Sequence, residues 1–203
     1  MKRTLCVGTT ILWLLGGCAS KSLPPTQRYV ITPQTPHIER TARSQPLFDT
    51  LAIRLFADTP IAATTGIYYR EKNYRQQPYA FSRWYAPPRQ MLKDKLLIAL
   101  QKSGIARVVT TQRFTAQSTL EVRVLDCVQI FPPHGHAYVH IVLQAALTYH
   151  KKTSTELFES THLTPKPTAQ GAVEAFNVAC DRLVLEIVHW SERVGEARQG
   201  REN

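Results

Sequence analysis

The chain reads as an α+β protein: a mixed or antiparallel sheet with two long helices packed on one face. Three observations predict this. Segments 48–56, 119–130 and 137–149 alternate apolar and polar residues with the two-residue period of a half-buried strand. Segments 89–103 and 168–194 instead repeat apolar residues at helical spacing. The strands fall in groups on either side of the helices, which suits a sheet with helices on one face.

The first element is an export signal. Lys2 and Arg3 give a positive start, and Leu5 to Leu15 form an apolar stretch. That stretch is too short to cross a membrane, which takes about 20 residues, but it suits a secretory h-region. Leu15-Gly16-Gly17-Cys18 follows. This resembles the bacterial lipobox, in which the cysteine thiol receives a diacylglycerol and the chain is cut just before it. The resemblance makes Cys18 the expected lipidation site and residues 1–17 the signal peptide. Ala19 stands where an Asp would favour retention at the inner membrane, so the outer membrane is the expected destination.

Residues 18–28, with Pro24 and Pro25, read as a lipidated tether, and Tyr29 to Ile31 as a short first strand. Residues 33–46 hold three prolines and read as loop. In 48–56, Leu51, Ile53 and Leu55 share a face. Ile67 to Arg70 and Tyr79 to Trp84 flank a polar turn and suggest a hairpin. Pro87 and Pro88 open the first long helix, since Pro fits the first helical positions. Leu92, Leu96, Ala99 and Leu100 form its buried face, and Gly104 closes it.

Strands are expected at 105–110, 119–130, 137–149 and 156–163. In the longest, Val139, Ile141, Leu143, Ala145 and Leu147 face one way. Thr168 is placed to cap the final helix. Its stripe is Val173, Phe176, Ala179, Cys180, Leu183, Val184, Ile187 and Val188. The domain is thus expected over 29–195, with a frayed polar tail at 196–203.

Cleavage after residue 17 leaves 203 − 17 = 186 residues, the length of one domain. It also removes Lys2 and Arg3 from the 25 basic residues, leaving 23 against 15 acidic ones, or +8. Surplus positive charge can serve nucleic acid, anionic lipid or an acidic partner. An exported chain excludes the first. The periplasm oxidises thiols, so a Cys127–Cys180 bridge and two separately buried thiols are both open readings. Cys180 lies on the helix stripe, while Cys127 alternates with Asp126 and Val128, leaving its facing undecided.

No G-x-S-x-G, P-loop, G-x-G-x-x-G or H-E-x-x-H motif occurs, and no catalytic residue is assigned. His134, His136 and His140 form the one histidine cluster, with His136, Tyr138 and His140 on one strand face. No Cys or carboxylate partner is evident beside it, so a polar strand face is favoured over a metal site. The stretch from Tyr68 to Tyr85 interleaves aromatics with Arg70, Lys72, Arg75 and Arg83. Such a mixture suits a protein interface or ordinary hairpin packing. Tyr74, Arg75, Arg83, Trp84 and Tyr85 are the candidate partner-binding residues. Among them Tyr74 and Arg75 are expected to be exposed, whereas Trp84, with Phe81, is expected in the core.

The order of features carries a family resemblance. The lipobox and tether precede Tyr29-Val30-Ile31 and Leu51-Ala52-Ile53; Tyr79-Ala80-Phe81-Ser82-Arg83-Trp84-Tyr85-Ala86-Pro87 then runs into the first long helix. This resembles the ABC-type transport auxiliary lipoproteins, the family of paraquat-inducible protein C. Its Asp-Arg-Pro-Gln element is replaced here by Ala62-Ala63-Thr64-Thr65-Gly66-Ile67. The resemblance implies a fold similar to the N-terminal domain of TolB and a non-enzymatic role without a cofactor. It also implies docking to an MCE-domain protein that spans the periplasm, alongside ABC transporter subunits, and raises a ring-shaped homo-oligomer. The alternative is an assembly or pilot lipoprotein of another envelope machine.

Overall fold

The computed structural model describes residues 23–38, 45–112 and 116–200. Eight strands and three helices occur in the order β1 (Gln27–Tyr29), β2 (Phe48–Phe56), α1 (Pro60–Ala63), β3 (Gly66–Arg70), β4 (Gln76–Trp84), α2 (Pro88–Ser103), β5 (Ala106–Thr110), β6 (Ser118–Ile130), β7 (Tyr138–Tyr149), β8 (Lys152–Leu163) and α3 (Ala169–Gln199). All strands join one mixed sheet, and the two long helices pack on it, so the expected α+β class holds.

β6 organises the sheet. One edge pairs antiparallel with β7 along its whole length, and β7 pairs antiparallel with β8. The other edge is shared end to end. β2 runs parallel to Ser118–Arg123, and β3 rejoins the same edge at Gln129–Ile130. Between them the chain leaves the sheet through α1, a short helix that sequence periodicity was too brief to signal. β5 extends the β2 half, while β4 and β1 extend the β3 half.

The core lies between sheet and helices. Val139, Ile141, Leu143, Ala145 and Leu147 of β7 are buried together with the predicted stripe of α3. Full burial of each large aliphatic side chain contributes about 1.5–3 kcal/mol. Gly104, at φ 68°, ends α2 in the left-handed conformation that favours glycine. The Thr168 side chain caps α3 by accepting from the Gly171 amide at 3.2 Å.

A bulge settles the facing of Cys127. The β6–β7 register shifts between Val124 and Asp126. The extra residue resets the alternation. Val124 and Cys127 therefore both face the helices, and Asp126 faces the opposite side of the sheet. Leu125 is left 43% exposed.

β8 begins at Lys152, earlier than the expected 156, and both ends of the domain also differ from the sequence reading. At the N-terminus, Gln27 and Arg28, expected in the tether, pair with Ser82 and Arg83 of β4. The segment after Tyr29 leaves the sheet and is held by α3: Asn177 Oδ1 accepts from the Thr32 amide at 2.8 Å, and its Nδ2 donates to the Val30 carbonyl at 3.2 Å. One side-chain amide thus replaces a strand partner. At the C-terminus, α3 continues past the expected fraying point at Gly195 as far as Gln199. A Cβ on Gly195 would lie 3.0 Å from Leu47 Cδ1 and Phe48 Cζ, so the missing side chain is what lets the helix pack there. Arg198 then donates to the carbonyls of Tyr149 at 3.2 Å and Lys152 at 2.6 Å, fastening the last turn to the β7–β8 hairpin.

Candidate functional site

The β3–β4 hairpin carries most of the residues singled out in the sequence. Its turn, Glu71 to Arg75, is shorter than expected because β4 already begins at Gln76. Pro78 is tolerated inside β4 because β1 covers only Ser82–Trp84, leaving β4 an edge at Pro78. The hairpin register shifts between Gly66 and Tyr68, and this disturbs the simple alternation along β4.

That irregularity decides which aromatics are exposed. Trp84 is only 2% exposed. Its ring packs edge-on to Phe176 of α3, with centroids 5.5 Å apart. Trp84 is therefore a core residue and is withdrawn from the candidate docking set. Phe81, expected in the core, is instead 41% exposed. Arg83 is half-buried and donates to the carbonyls of Ser82, at 3.1 Å, and Tyr79. Its guanidinium is occupied by its own strand. Tyr74 and Tyr85 are exposed, at 88% and 68%, and Arg75 is exposed beside Tyr74. Tyr74 and Tyr85 lie just beyond opposite ends of β4 with Phe81 between them, so the three do not form a compact patch.

Behind the turn, Tyr69, Tyr79 and Phe131 pack together, with ring centroids 4.8 Å (Tyr69–Tyr79) and 5.7 Å (Tyr69–Phe131) apart. Tyr79 donates its hydroxyl proton to Gln129 Oε1 at 2.5 Å. Burial, with a smaller contribution from Tyr69, raises the Tyr79 phenol to about 12.

The open face of the sheet assembles a charged network that sequence reasoning missed. Arg70 binds both oxygens of Asp126, at 3.0 and 3.1 Å. Asp126 Oδ2 lies 3.1 Å from His140 Nδ1, and Glu159 Oε1 lies 2.8 Å from His140 Nε2. The carboxylates missing from the histidine cluster are thus supplied by β6 and β8, across the ladder. An imidazole with one N–H donates to one carboxylate at a time; a protonated ring has a donor for each. His134 and His136 are exposed in the β6–β7 loop, outside this network. Among the described residues no group of three or more His, Cys, Asp or Glu is arranged to hold a metal ion.

Cys127 and Cys180 are free thiols, both buried. Burial pushes Cys127 well up and raises Cys180 to about 12, where Lys95 opposes and Asp181 adds to the rise. Such thiols are poor nucleophiles, because the thiolate is the reactive form. Cys18 lies outside the described residues. No helix among the described residues is long and apolar enough to cross a membrane.

Comparison with known proteins gives a consistent result. The family model described as "ABC-type transport auxiliary lipoprotein component" matches residues 29–188. Among solved structures, protein XCC0632 from Xanthomonas campestris, assigned to DUF330, is similar with a TM-score of 0.75 at 20% identity, over 86% of this chain and 99% of that one. An uncharacterised protein aligns with a TM-score of 0.65 at 15% identity, covering 82% and 98% of the two chains. Hypothetical protein CT253 from Chlamydia trachomatis gives 0.52 at 9% identity, covering 73% and 96%. At these identities the likeness is one of fold. No curated protein is significantly similar in sequence.

Proposed function

The chain belongs to the family of ABC-type transport auxiliary lipoprotein components, and from this premise we propose that it is an outer-membrane-anchored, non-enzymatic component of a lipid or solvent transport system. Cys18 carries the lipid, after cleavage of residues 1–17, and Ala19 directs the chain to the outer membrane. The domain docks to an MCE-domain protein that spans the periplasm, in a system that includes an ABC transporter. The observation that carries this reading is the family match, which runs from the end of β1 to most of α3 and so covers nearly the whole fold. The exposed aromatics Phe81, on β4, and Tyr85, just past its end, are of the type enriched at protein interfaces.

The test is affinity purification of the mature chain from mild-detergent extracts, with mass spectrometry of what accompanies it. Recovery of an MCE-domain protein or ABC transporter subunit is expected, and a Phe81→Ser/Tyr85→Ser variant should lose it while staying folded. Recovery of an unrelated envelope machine, or of nothing, refutes the assignment.

A further inference from the structure

We propose that the end of the sheet bearing the β3–β4 turn rests on the anionic surface of the membrane to which the chain is tethered. This rests on the reading of Cys18 as the lipidated residue. It assigns Tyr74 and Arg75 to lipid and leaves Phe81 and Tyr85 for the partner.

The path of the chain supplies the first argument. β1 enters the sheet at Gln27, opposite Ser82, and runs parallel to β4. β4 starts at Gln76, beside the turn, and runs away from it. A chain entering at Gln27 in that direction comes from the turn side. Ser82 stands six residues beyond Gln76, about 20 Å along a strand. Gln27 stands nine residues beyond Cys18, a reach of at most about 30 Å. The lipidated cysteine can therefore reach the level of the turn and about 10 Å past it.

The chemistry of that end supplies the second. Three segments converge there. Phe131 donates its amide to the Arg70 carbonyl at 2.9 Å, which sets the β6–β7 loop beside the turn. Ile130, Tyr138 and Leu163 lie in register across β6, β7 and β8. Lys72, Tyr74, Arg75, His134 and His136 project into solvent, and Leu163 is 62% exposed. Of the nearby acids, Asp126 is bound by Arg70, Glu71 is half-buried, and Glu159, exposed beside His140, stands four residues in from the end of β8. At the turn itself the exposed charges are those of Lys72 and Arg75. Cations of this kind are attracted to anionic headgroups, and Tyr is enriched at the headgroup level. A depression of about 530 Å³ beside Tyr138 and His162 gives headgroups room; another of about 410 Å³ beside Lys72 and Phe131 is lined by Glu71 as well.

The backbone supplies the third. Tyr74 adopts φ 64°, a left-handed conformation in which a bulky residue is uncommon and Asn or Gly is unstrained. A tyrosine 88% exposed to water gains no core packing for that strain. A ring seated among headgroups gives it a reason. The opposite end is also basic, at Lys151, Lys152 and Arg193. To bring that end to the membrane, the tether would have to double back along the sheet.

The test uses the lipidated mature chain in vesicles of phosphatidylethanolamine and phosphatidylglycerol with brominated acyl chains. An environment-sensitive fluorophore is placed through His134→Cys at the proposed contact, or through Lys152→Cys at the opposite end; buried Cys127 and Cys180 do not compete for label. Quenching at position 134 is expected to exceed that at 152 at least twofold. It should fall by half or more in Lys72→Glu/Arg75→Glu, in Tyr74→Asn, and in vesicles of phosphatidylcholine alone. Equal quenching at both positions, or more at 152, overturns the proposal, and equal quenching on phosphatidylcholine overturns its anionic part. Flotation of the native chain with vesicles tests the lipid on Cys18 separately. If the chain does not float, a hexahistidine tag in place of Cys18, captured by nickel-chelating lipid in the same vesicles, restores the tether, and the same comparison decides.

Discussion

Lys95 is the only charged side chain buried outright among the described residues. Its ammonium donates to the carbonyl oxygens of Thr32, at 2.9 Å, and Gln34, and lies 2.6 Å from Asp181 Oδ1. One side chain of α2 thereby ties the segment after β1 to both long helices. Lys95→Met keeps most of the stem but removes all three interactions. Breaking a fully buried pair costs about 3–5 kcal/mol, because the remaining charge is stranded. Asp181 is 40% exposed and can be rehydrated, which lowers that figure. The two carbonyls lose a charged donor, each worth about 1–3 kcal/mol if it stays buried, but residues 32–34 can lift into water. A net loss of about 2–3 kcal/mol is expected. That is within the 5–15 kcal/mol of a typical domain, so the variant should still fold. Urea denaturation of the mature, non-lipidated chain measures the loss, and hydrogen exchange of residues 30–35 measures release of the segment. Asp181→Asn should lose a comparable amount, about 2–3 kcal/mol, since it strands the fully buried ammonium with only its two carbonyls as partners. If Lys95→Met proves as stable as the parent and residue 32 stays protected, packing alone holds this segment and the clamp argument is wrong.

Trp84→Ala should lose about 3–5 kcal/mol in the same urea assay, as expected for a buried Trp; a loss below about 1 kcal/mol together with lost partner capture would return Trp84 to the docking surface. Gly171→Ala separates two opposed effects: helix propensity favours Ala by about 1 kcal/mol, but the new Cβ would sit 2.2 Å from the Lys166 carbonyl oxygen. A lower melting temperature is expected, and a rise would show that the 164–168 loop yields freely. Tyr79 and Cys180 are raised to about 12 and Cys127 is raised well above its usual range, so each stays neutral in the fold where the unfolded chain begins to ionise. Their stabilisation is full below about pH 9 and is lost as pH rises toward 12. Thermal melts from pH 8 to 11.5 should fall through that window, and a thiol reagent should find Cys127 and Cys180 only after unfolding. A flat melting profile, or thiols that react in the folded chain, would contradict the burial argument.

Much of this fold could be read from local pattern. β2 matches its expected limits, and α2, β6 and β7 begin within one residue of theirs, because each repeats a clean period over at least nine residues. What escaped the sequence depends on contacts between distant segments. The bulge at Leu125 has no compositional mark, so the facing of Cys127 stayed undecided. Phe81 and Trp84 were expected to share the core, but the irregular β3–β4 register exposes one and buries the other. The network around His140 draws Asp126 from 14 residues before it and Glu159 from 19 after it. No local spacing rule joins such residues; only the β6–β7–β8 register does. Gly195 looked like the start of a tail because a glycine late in a helix commonly ends it, whereas here it makes room for Leu47 and Phe48.

The end-to-end sharing of the β6 edge also bears on how the protein could work. β6 spans 13 residues, about 40 Å of rigid sheet, and β7 pairs with it throughout. Any site fixed to one end of β6 is held at a set distance from a site at the other. The chain enters the sheet at β1, which is bonded to β4, and the segment just after it is clamped to both helices through Lys95 and Asn177. A pull on the lipid anchor would therefore be borne by the helix layer and the sheet together, not by a loose terminal strand. With the turn end at the membrane, Phe81 and Tyr85 lie roughly 15–30 Å further along β4, exposed on the flank of the domain. A partner rising across the periplasm could engage that flank without contacting the bilayer. The separation makes the two surfaces independently breakable: Lys72→Glu/Arg75→Glu should spare partner capture, and Phe81→Ser/Tyr85→Ser should spare the lipid contact. If either double variant abolished both, one surface would be serving both roles and this division of labour would fail.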